Sequence, residues 1–138
     1  MPSKMFVNLP VKNLDKSKTF FQAIGYSFNP QFSDDTGACM VISDENYAML
    51  LTEPKMREFT PRPIADATKS TEVIVCLSLD SREDVASVVE KALTAGASRV
   101  GEPRDYGFMV QDGFQDLDGH IWEFFWMDPN HIQRDTNS

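Results

Sequence analysis

One carboxylate lies inside the most apolar segment of this chain and is the first candidate for chemistry. Glu123 interrupts the run 121–127, which has the composition of a β-strand. Alternate side chains of a strand share a face, so Glu123 is expected beside Ile121 and Phe125. A carboxylate among aromatic side chains is costly unless it is paired, metal-bound or protonated. The sequence predicts that Glu123 either lines a cavity or is an ordinary carboxylate satisfied by a hydrogen bond or by solvent.

The other reactive side chains have weaker local support. His120 follows Gly119 in a predicted turn and His131 lies in the tail, so both are expected at the surface. Cys76 shares its predicted strand face with Ile74 and could line the same cavity as Glu123. No cation or histidine stands near Cys76 in the sequence to activate the thiol, and a small buried hydrophobe is the alternative.

Aromatic and methionine side chains near the end of the chain suggest an adaptable apolar pocket. They are Tyr106, Phe108, Met109, Phe125 and Met127. Arg104 lies in a predicted loop, from which it could bind a carboxylate or phosphate of a ligand at the cavity mouth. The alternatives are ordinary core for the apolar residues and a solvated surface position for Arg104.

The elements that position these residues follow from the pattern of the first half. Residues 5–11 alternate as a half-buried strand, and a helix capped by Asn13 or Asp15 follows and ends at Gly25. Three strands are predicted next, over residues 26–32, 38–43 and 47–52, with turn-forming residues between them.

The second half repeats this order. Residues 54–71 contain three prolines and read as a linker, with one helical turn near 56–59. A strand over 72–80 precedes a helix capped by Ser81 that ends at Gly96, and strands are predicted at 98–100, 108–111 and 121–127. The repeat predicts residues 1–53 and 72–128 as two modules, 54–71 as the linker and 129–138 as a flexible tail.

Composition excludes several classes of function. The 138 residues carry a formal charge of −8 and no basic run, which argues against nucleic acid and anionic membranes as partners. The two cysteines form no CxxC pair, and the N-terminal residues lack the apolar segment of a signal peptide. We therefore expect a cytoplasmic protein.

Two motifs together resemble the vicinal oxygen chelate superfamily, the group of glyoxalase I, bleomycin-resistance proteins and extradiol dioxygenases, and its lactoylglutathione lyase-like subgroup. The first motif is the segment 9–17 with Phe20-Phe21 and Ile24-Gly25-Tyr26; the second is Asp116-Leu117-Asp118-Gly119 with Glu123. The resemblance implies an α+β fold of two βαβββ modules. Their curved mixed sheets would enclose a cavity, with the helices on the outer faces, and the chain would often be a homodimer.

The resemblance also implies four metal-ligand positions, one on each of four strands. Carried onto this chain they are Phe6, Leu50, Ile74 and Glu123, of which only Glu123 can coordinate a metal. Catalytic metal sites need about three protein ligands, so no cofactor is predicted. The alternative is a relocated oxygen site of Asn8, Glu72 and Glu123, which would favour Mg²⁺ or Mn²⁺.

Three functions remain open from the sequence. The first is a metal-independent protein that holds a small organic molecule in its cavity, with Asn8 and Glu123 as polar anchors. The second is a lyase or dioxygenase with a relocated site at Glu123, so the resemblance leaves open whether the protein is an enzyme. The third is a dimeric structural or interaction protein that uses exposed strand edges and the aromatic last strand.

Overall fold

The chain folds as two modules of the same strand order. A computed structural model describes residues 2–131. The first four strands are β1 (Met5–Val11), β2 (Ser27–Asn29), β3 (Gly37–Val41) and β4 (Asn46–Thr52). The next four are β5 (Ile74–Ser78), β6 (Arg104–Asp105), β7 (Met109–Gln115) and β8 (Ile121–Met127). The helices are α1 (Leu14–Ala23), α2 (Glu53–Arg57) and α3 (Arg82–Thr94).

The two long helices begin and end where the sequence predicts. The Asn13 side chain accepts a hydrogen bond from the Lys16 amide at the start of α1, and Ser81 does the same for Asp84 in α3. Gly25 and Gly96 follow the two helices with φ of 111° and 115°, in the left-handed region that glycine adopts without strain. The capping residues and the glycines that end the helices are equivalent in the two halves, which confirms the predicted internal repeat.

Each module contributes one four-stranded mixed sheet. The strand orders are β1-β4-β3-β2 and β5-β8-β7-β6, so the second sheet repeats the topology of the first. In both sheets the first and last strands of the module are parallel neighbours, and the remaining pairs are antiparallel. The predicted α+β class with two βαβββ modules is confirmed.

A single hydrophobic core joins the modules. The Phe20 and Phe114 rings lie 5.8 Å apart, and those of Phe21 and Trp122 lie 5.1 Å apart, so α1 contacts the second sheet directly. The long helices α1 and α3, expected on the outer faces, each pack against one face of their own sheet, and α1 also contacts α3. These helix-bearing faces meet at the junction between the modules. We call the opposite face of each sheet its open face.

Several predicted boundaries differ from the structure. The strand predicted over 26–32 stops at Asn29, because Asn29 caps a 3₁₀ turn at Pro30–Phe32. The predicted strand 98–100 is only a bridge between Ser98 and Gln115, and the edge strand is β6 instead. The strand predicted over 108–111 extends to Gln115, since its polar residues still pair with β8. The strand predicted over 72–80 is limited to β5, and the turn near 56–59 is the helix α2.

Candidate functional site: the junction turn and the linker cavity

The turn from Asp116 to His120, which we call the junction turn, is built around a buried carboxylate. One oxygen of Asp116 accepts the amides of Asp118 and His120 at 2.9 and 3.0 Å, and the other accepts Trp122 Nε1 at 2.9 Å. Burial raises the pKa of the Asp116 carboxyl above its usual value, and the nearby His120 and these three hydrogen bonds oppose the rise. The turn is therefore fixed from inside its own module.

The junction turn also binds the first module. Asp118 accepts a hydrogen bond at 2.9 Å from the amide of Lys12, which lies just beyond the end of β1, and another at 3.3 Å from the Ser17 hydroxyl in α1. Nε2 of His120 lies 2.7 Å from the Pro10 carbonyl oxygen. Because a carbonyl only accepts, His120 must donate here, which fixes a proton on Nε2. Three contacts thus hold the beginning of β8 against the end of β1.

The linker segment, residues 54–71, passes over this junction. Gly119 has φ of 89°, and a Cβ at this position would lie 2.8 Å from the Thr68 amide nitrogen and 2.9 Å from the Ala67 carbonyl carbon. Only glycine allows this approach, because it combines the left-handed backbone with the absence of a side chain. The linker segment therefore lies directly on the junction turn.

Between the linker segment, β1 and the start of β8 is a cavity of about 250 Å³, which we call the linker cavity. Apolar side chains such as Met56, Ile64 and Ile121 form much of its wall. The polar groups at this wall include Asn8, Glu72 and His120. A largely apolar wall with a few polar groups is typical of small-molecule sites.

His120 is a functional candidate that the sequence reasoning missed. The prediction of a surface histidine is wrong, because His120 is half-buried and lines both the linker cavity and a neighbouring polar cavity. Its fixed orientation depends on Pro10, 110 residues earlier in the chain. Local sequence gives no signal for that contact, because only the packing of the second module against the first brings the two groups together. His131 is exposed, and its ring stacks on Phe108 with the centroids 4.2 Å apart.

Glu123 lies on the open face of the second sheet, in register with Cys76 on β5 and Gly113 on β7. It is half-buried and lines a narrow cleft of about 170 Å³ together with Arg104 and Gln111. The core-facing residues of β8 are instead Trp122 and Phe124, which are fully buried. The strand alternation therefore places the carboxylate away from the core.

The comparison with known proteins bears on the whole of this architecture. Residues 4–43 match the family model described as bleomycin resistance protein-like N-terminal. Among solved structures, a glyoxalase-related enzyme from Fulvimarina pelagi has a TM-score of 0.78 at 16% identity, covering 98% of this chain and 95% of that one. The genomically encoded fosfomycin resistance protein FosX from Listeria monocytogenes has a TM-score of 0.66 at 18% identity, covering 99% and 98%.

A hypothetical protein of S. aureus, SA1046, is more similar in sequence. It is 29% identical with a TM-score of 0.76, covering 91% of this chain and 95% of that one. No curated protein matches the sequence. This chain has the vicinal oxygen chelate fold. The resemblance inferred from the two sequence motifs is confirmed, with the bleomycin-resistance type of signature in the first module.

The metal-ligand positions of the vicinal oxygen chelate superfamily do not fit a metal in this chain. Phe6 stacks on Tyr47 with ring centroids 4.7 Å apart, and Ile74 is half-exposed. Leu50 is fully buried on the helix-bearing face, so it does not share a face with Phe6 or Glu123. Within residues 2–131, no three His, Cys, Asp or Glu side chains come together as a metal site would require.

The alternative oxygen site is divided between two cavities. Asn8 and Glu72 line the linker cavity, whereas Glu123 lines the cleft of the second open face. Ile121 borders both spaces, so they are neighbours. The Asn8 amide donates to the Phe6 carbonyl at 3.4 Å, a weak contact. We derive no chemical step through a metal from this arrangement.

The remaining predicted site residues lie on or near the second open face. Cys76 is exposed as a residue. The partial desolvation of its thiol, with a smaller contribution from the charge of Glu123, nevertheless raises the pKa of that thiol. A raised pKa lowers the thiolate fraction, so the geometry does not activate Cys76 as a nucleophile. Tyr106 and Phe108 are exposed on the loop after β6, and Phe125 is half-buried on β8.

None of the helices among the described residues combines the length and apolarity that a bilayer crossing requires.

Proposed function

We propose that this protein binds a small organic molecule in the linker cavity, without the metal that many members of the vicinal oxygen chelate superfamily use. The observation that carries the proposal is the composition of the cavity wall, in which apolar side chains such as Met56, Ile64 and Ile121 lie beside a smaller polar surface that includes Asn8, Glu72 and His120. Such a wall favours an organic body by burial and orients it with a few hydrogen bonds.

His120 takes the part that the sequence reasoning assigned to Glu123 as an anchor. Its ring is held through Nε2 by the Pro10 carbonyl, so a ligand meets an imidazole that is already oriented. Preorganised groups bind more tightly because less conformational entropy is lost on association. Asn8 retains its proposed role as an anchor, since it lines the same cavity.

A fragment screen by thermal shift, repeated on cavity variants, tests this proposal. Met56→Trp would fill the linker cavity, and Phe59→Trp is the matched control, because Phe59 lies in the same segment but is 67% exposed and outside the cavity wall. We expect fragments that stabilise the parent protein to lose their effect in Met56→Trp and to keep it in Phe59→Trp and Glu123→Gln. Binding that survives Met56→Trp and disappears in Glu123→Gln would contradict the proposal.

We further propose that the protein is a homodimer that buries its open faces. The support is apolar exposure: Phe6, Ile74 and Met127 are 46, 50 and 42% exposed and all lie on open faces. Exposed apolar surface of this kind is typical of interaction sites. Analytical ultracentrifugation of the parent and of Ile74→Lys tests the point. A concentration-dependent dimer that Ile74→Lys weakens is the expected result, and a monomer at all concentrations would contradict it.

A further inference from the structure

We propose that the ligand is an amphiphilic organic acid, with its apolar body in the linker cavity and its anionic group in a second cavity beside His120. The inference rests on the proposed function and adds a chemical class to it. The second cavity, which we call the polar cavity, has a volume of about 370 Å³.

The linker cavity and the polar cavity lie next to each other. Six residues border both spaces: Pro10, Pro63, Ile64, Ala65, Ala67 and His120. The remaining walls differ in character. The polar cavity adds the charged side chains Lys12, Glu53, Arg57, Asp66 and Asp118. The linker cavity adds only one charged side chain, Glu72, beside four apolar ones and the uncharged polar side chains of Asn8, Thr60, Ser70 and Thr71. A molecule that occupies both spaces therefore needs an apolar part and a charged or strongly polar part.

The acidic side chains of the polar cavity already have partners. Asp118 accepts the Lys12 amide and the Ser17 hydroxyl. Asp66 accepts the Thr68 hydroxyl and amide at 2.6 and 2.9 Å, and these bonds, with a smaller contribution from Lys12, hold the pKa of its carboxyl below the usual value. Each of these two carboxylates therefore accepts two hydrogen bonds from the protein, and the third, Glu53, lies 3.6 Å from Arg57.

The basic side chains of the polar cavity are less engaged. Within residues 2–131, the Lys12 ammonium has no carboxylate oxygen within 4.0 Å. Arg57 reaches Glu53 only at 3.6 Å, and its side chain is 59% exposed. A carboxylate entering between Lys12 and Arg57 would gain charge-assisted hydrogen bonds, which are the stronger kind. The available hydrogen-bonding capacity of this cavity therefore favours an anion.

Negative charges at three places oppose an acid. Within the polar cavity, the carboxylates of Glu53, Asp66 and Asp118 outnumber the cations of Lys12 and Arg57. The net charge of −8 repels anions at long range, an effect that salt screens. Glu72, in the wall of the linker cavity, repels an acid locally. Removing that carboxylate in Glu72→Gln should therefore tighten the binding of an acid relative to that of a neutral analogue.

Three compounds with one body and different head groups test the proposal by isothermal titration calorimetry at pH 7.5. They are 4-phenylbutyrate, 4-phenylbutan-1-ol and 4-phenylbutylamine. We expect the acid to bind about tenfold more tightly than the alcohol, and the amine to bind most weakly. Lys12→Gln and Arg57→Gln should each weaken the acid by about five- to tenfold and leave the alcohol unchanged. Lys69→Gln is the control, because it makes the same charge change in the linker segment outside both cavity walls.

The outcomes separate the two claims. If the alcohol binds while the amine equals the acid, the proposed head-group class is wrong and the binding function stands. The same holds if Lys12→Gln and Arg57→Gln change the acid affinity no more than Lys69→Gln does. If none of the three compounds binds, both the binding function and the head-group class are overturned.

Discussion

The two sheets share a topology but differ in what lies on their open faces. On the first sheet, α2 contacts β1 and β4, and open-face residues such as Cys39 and Leu51 are buried. On the second sheet, Glu123 lines only a narrow cleft beside Val100, Gly101 and Arg104, and Cys76 is exposed. The repeat therefore determines the framework, while the single linker segment determines where the linker cavity forms. That asymmetry is why we propose His120 and Asn8, rather than Glu123, as the anchors of a ligand.

The largest effect is expected from separating the linker segment from the junction turn. Gly119→Ala would place a Cβ within 2.9 Å of the Ala67 and Thr68 backbone in addition to the strain of its positive φ. We expect a loss of about 2–4 kcal/mol in the free energy of unfolding, measured by urea denaturation. Gly107→Ala is the matched control, since Gly107 has φ of 84° and nothing within 4 Å of the added carbon. Equal losses in the two variants would show that the linker segment does not lie on Gly119.

The next effect concerns the carboxylate that fixes the junction turn. Asp116→Asn removes one of the two oxygens that accept three donors, and should cost about 1–3 kcal/mol of unfolding free energy. Denaturation of both proteins from pH 3 to pH 8 provides the measurement.

The pH dependence of this difference has a definite sign. Burial raises the pKa of Asp116 in the folded state, so folding favours its protonated form. Its contribution to stability is greatest below the usual value of 3.8 and decreases as the pH rises through the raised pKa. The stability advantage of the parent over Asp116→Asn should therefore shrink with rising pH. An advantage that grows across this range would mean that the carboxyl has a lowered pKa instead.

A smaller effect compares the two sides of the junction. Asp118→Ala removes the contacts to Lys12 and Ser17 in the first module and leaves the hydrogen bonds made by the Asp116 side chain. We expect a loss of about 1 kcal/mol of unfolding free energy, together with weaker binding in the linker cavity. Asp15→Ala, on the exposed surface of α1, is the control. Unchanged fragment binding in Asp118→Ala would show that the linker cavity does not depend on the contacts of the junction turn to the first module.

The smallest perturbation uses the two cysteines as reporters of the two open faces. Cys39 is fully buried on the first sheet and Cys76 is exposed on the second. Desolvation raises the pKa of both thiols. At a dilution that dissociates the proposed dimer, a disulfide reagent should label Cys76 at least about a hundredfold faster than Cys39 under native conditions, because Cys39 reacts only after local unfolding. Mass spectrometry of the labelled peptides gives the two rates. Comparable rates would mean that the first open face is no better protected than the second.

Local features of the sequence predict the framework well. Asn13, Ser81, Gly25 and Gly96 act through contacts or backbone angles within a few residues, so their roles follow from position alone. The alternation in β8 likewise predicts that Glu123 and Trp122 point to opposite faces.

The site depends on contacts that local patterns do not contain. His120 is oriented by a carbonyl 110 residues away, and the cavity wall depends on the close approach of Ala67 and Thr68 in the linker segment to Gly119. The carry-over of a ligand position to Leu50 shows the same limit, because a one-residue shift along a strand reverses the face. Strand register and long-range contacts, rather than residue types, therefore explain why the sequence predicts the framework well and the candidate site poorly.

The most direct test of the linker cavity as the binding site is an ¹⁵N NMR titration of the native protein with 4-phenylbutan-1-ol. The account predicts that the largest amide shifts occur at the cavity wall, at Val73, Gly119 and Ile121, with small shifts at Cys76 and Phe125. Shifts concentrated at Cys76 and Phe125, with the junction turn unaffected, would place the ligand on the second open face and contradict the account.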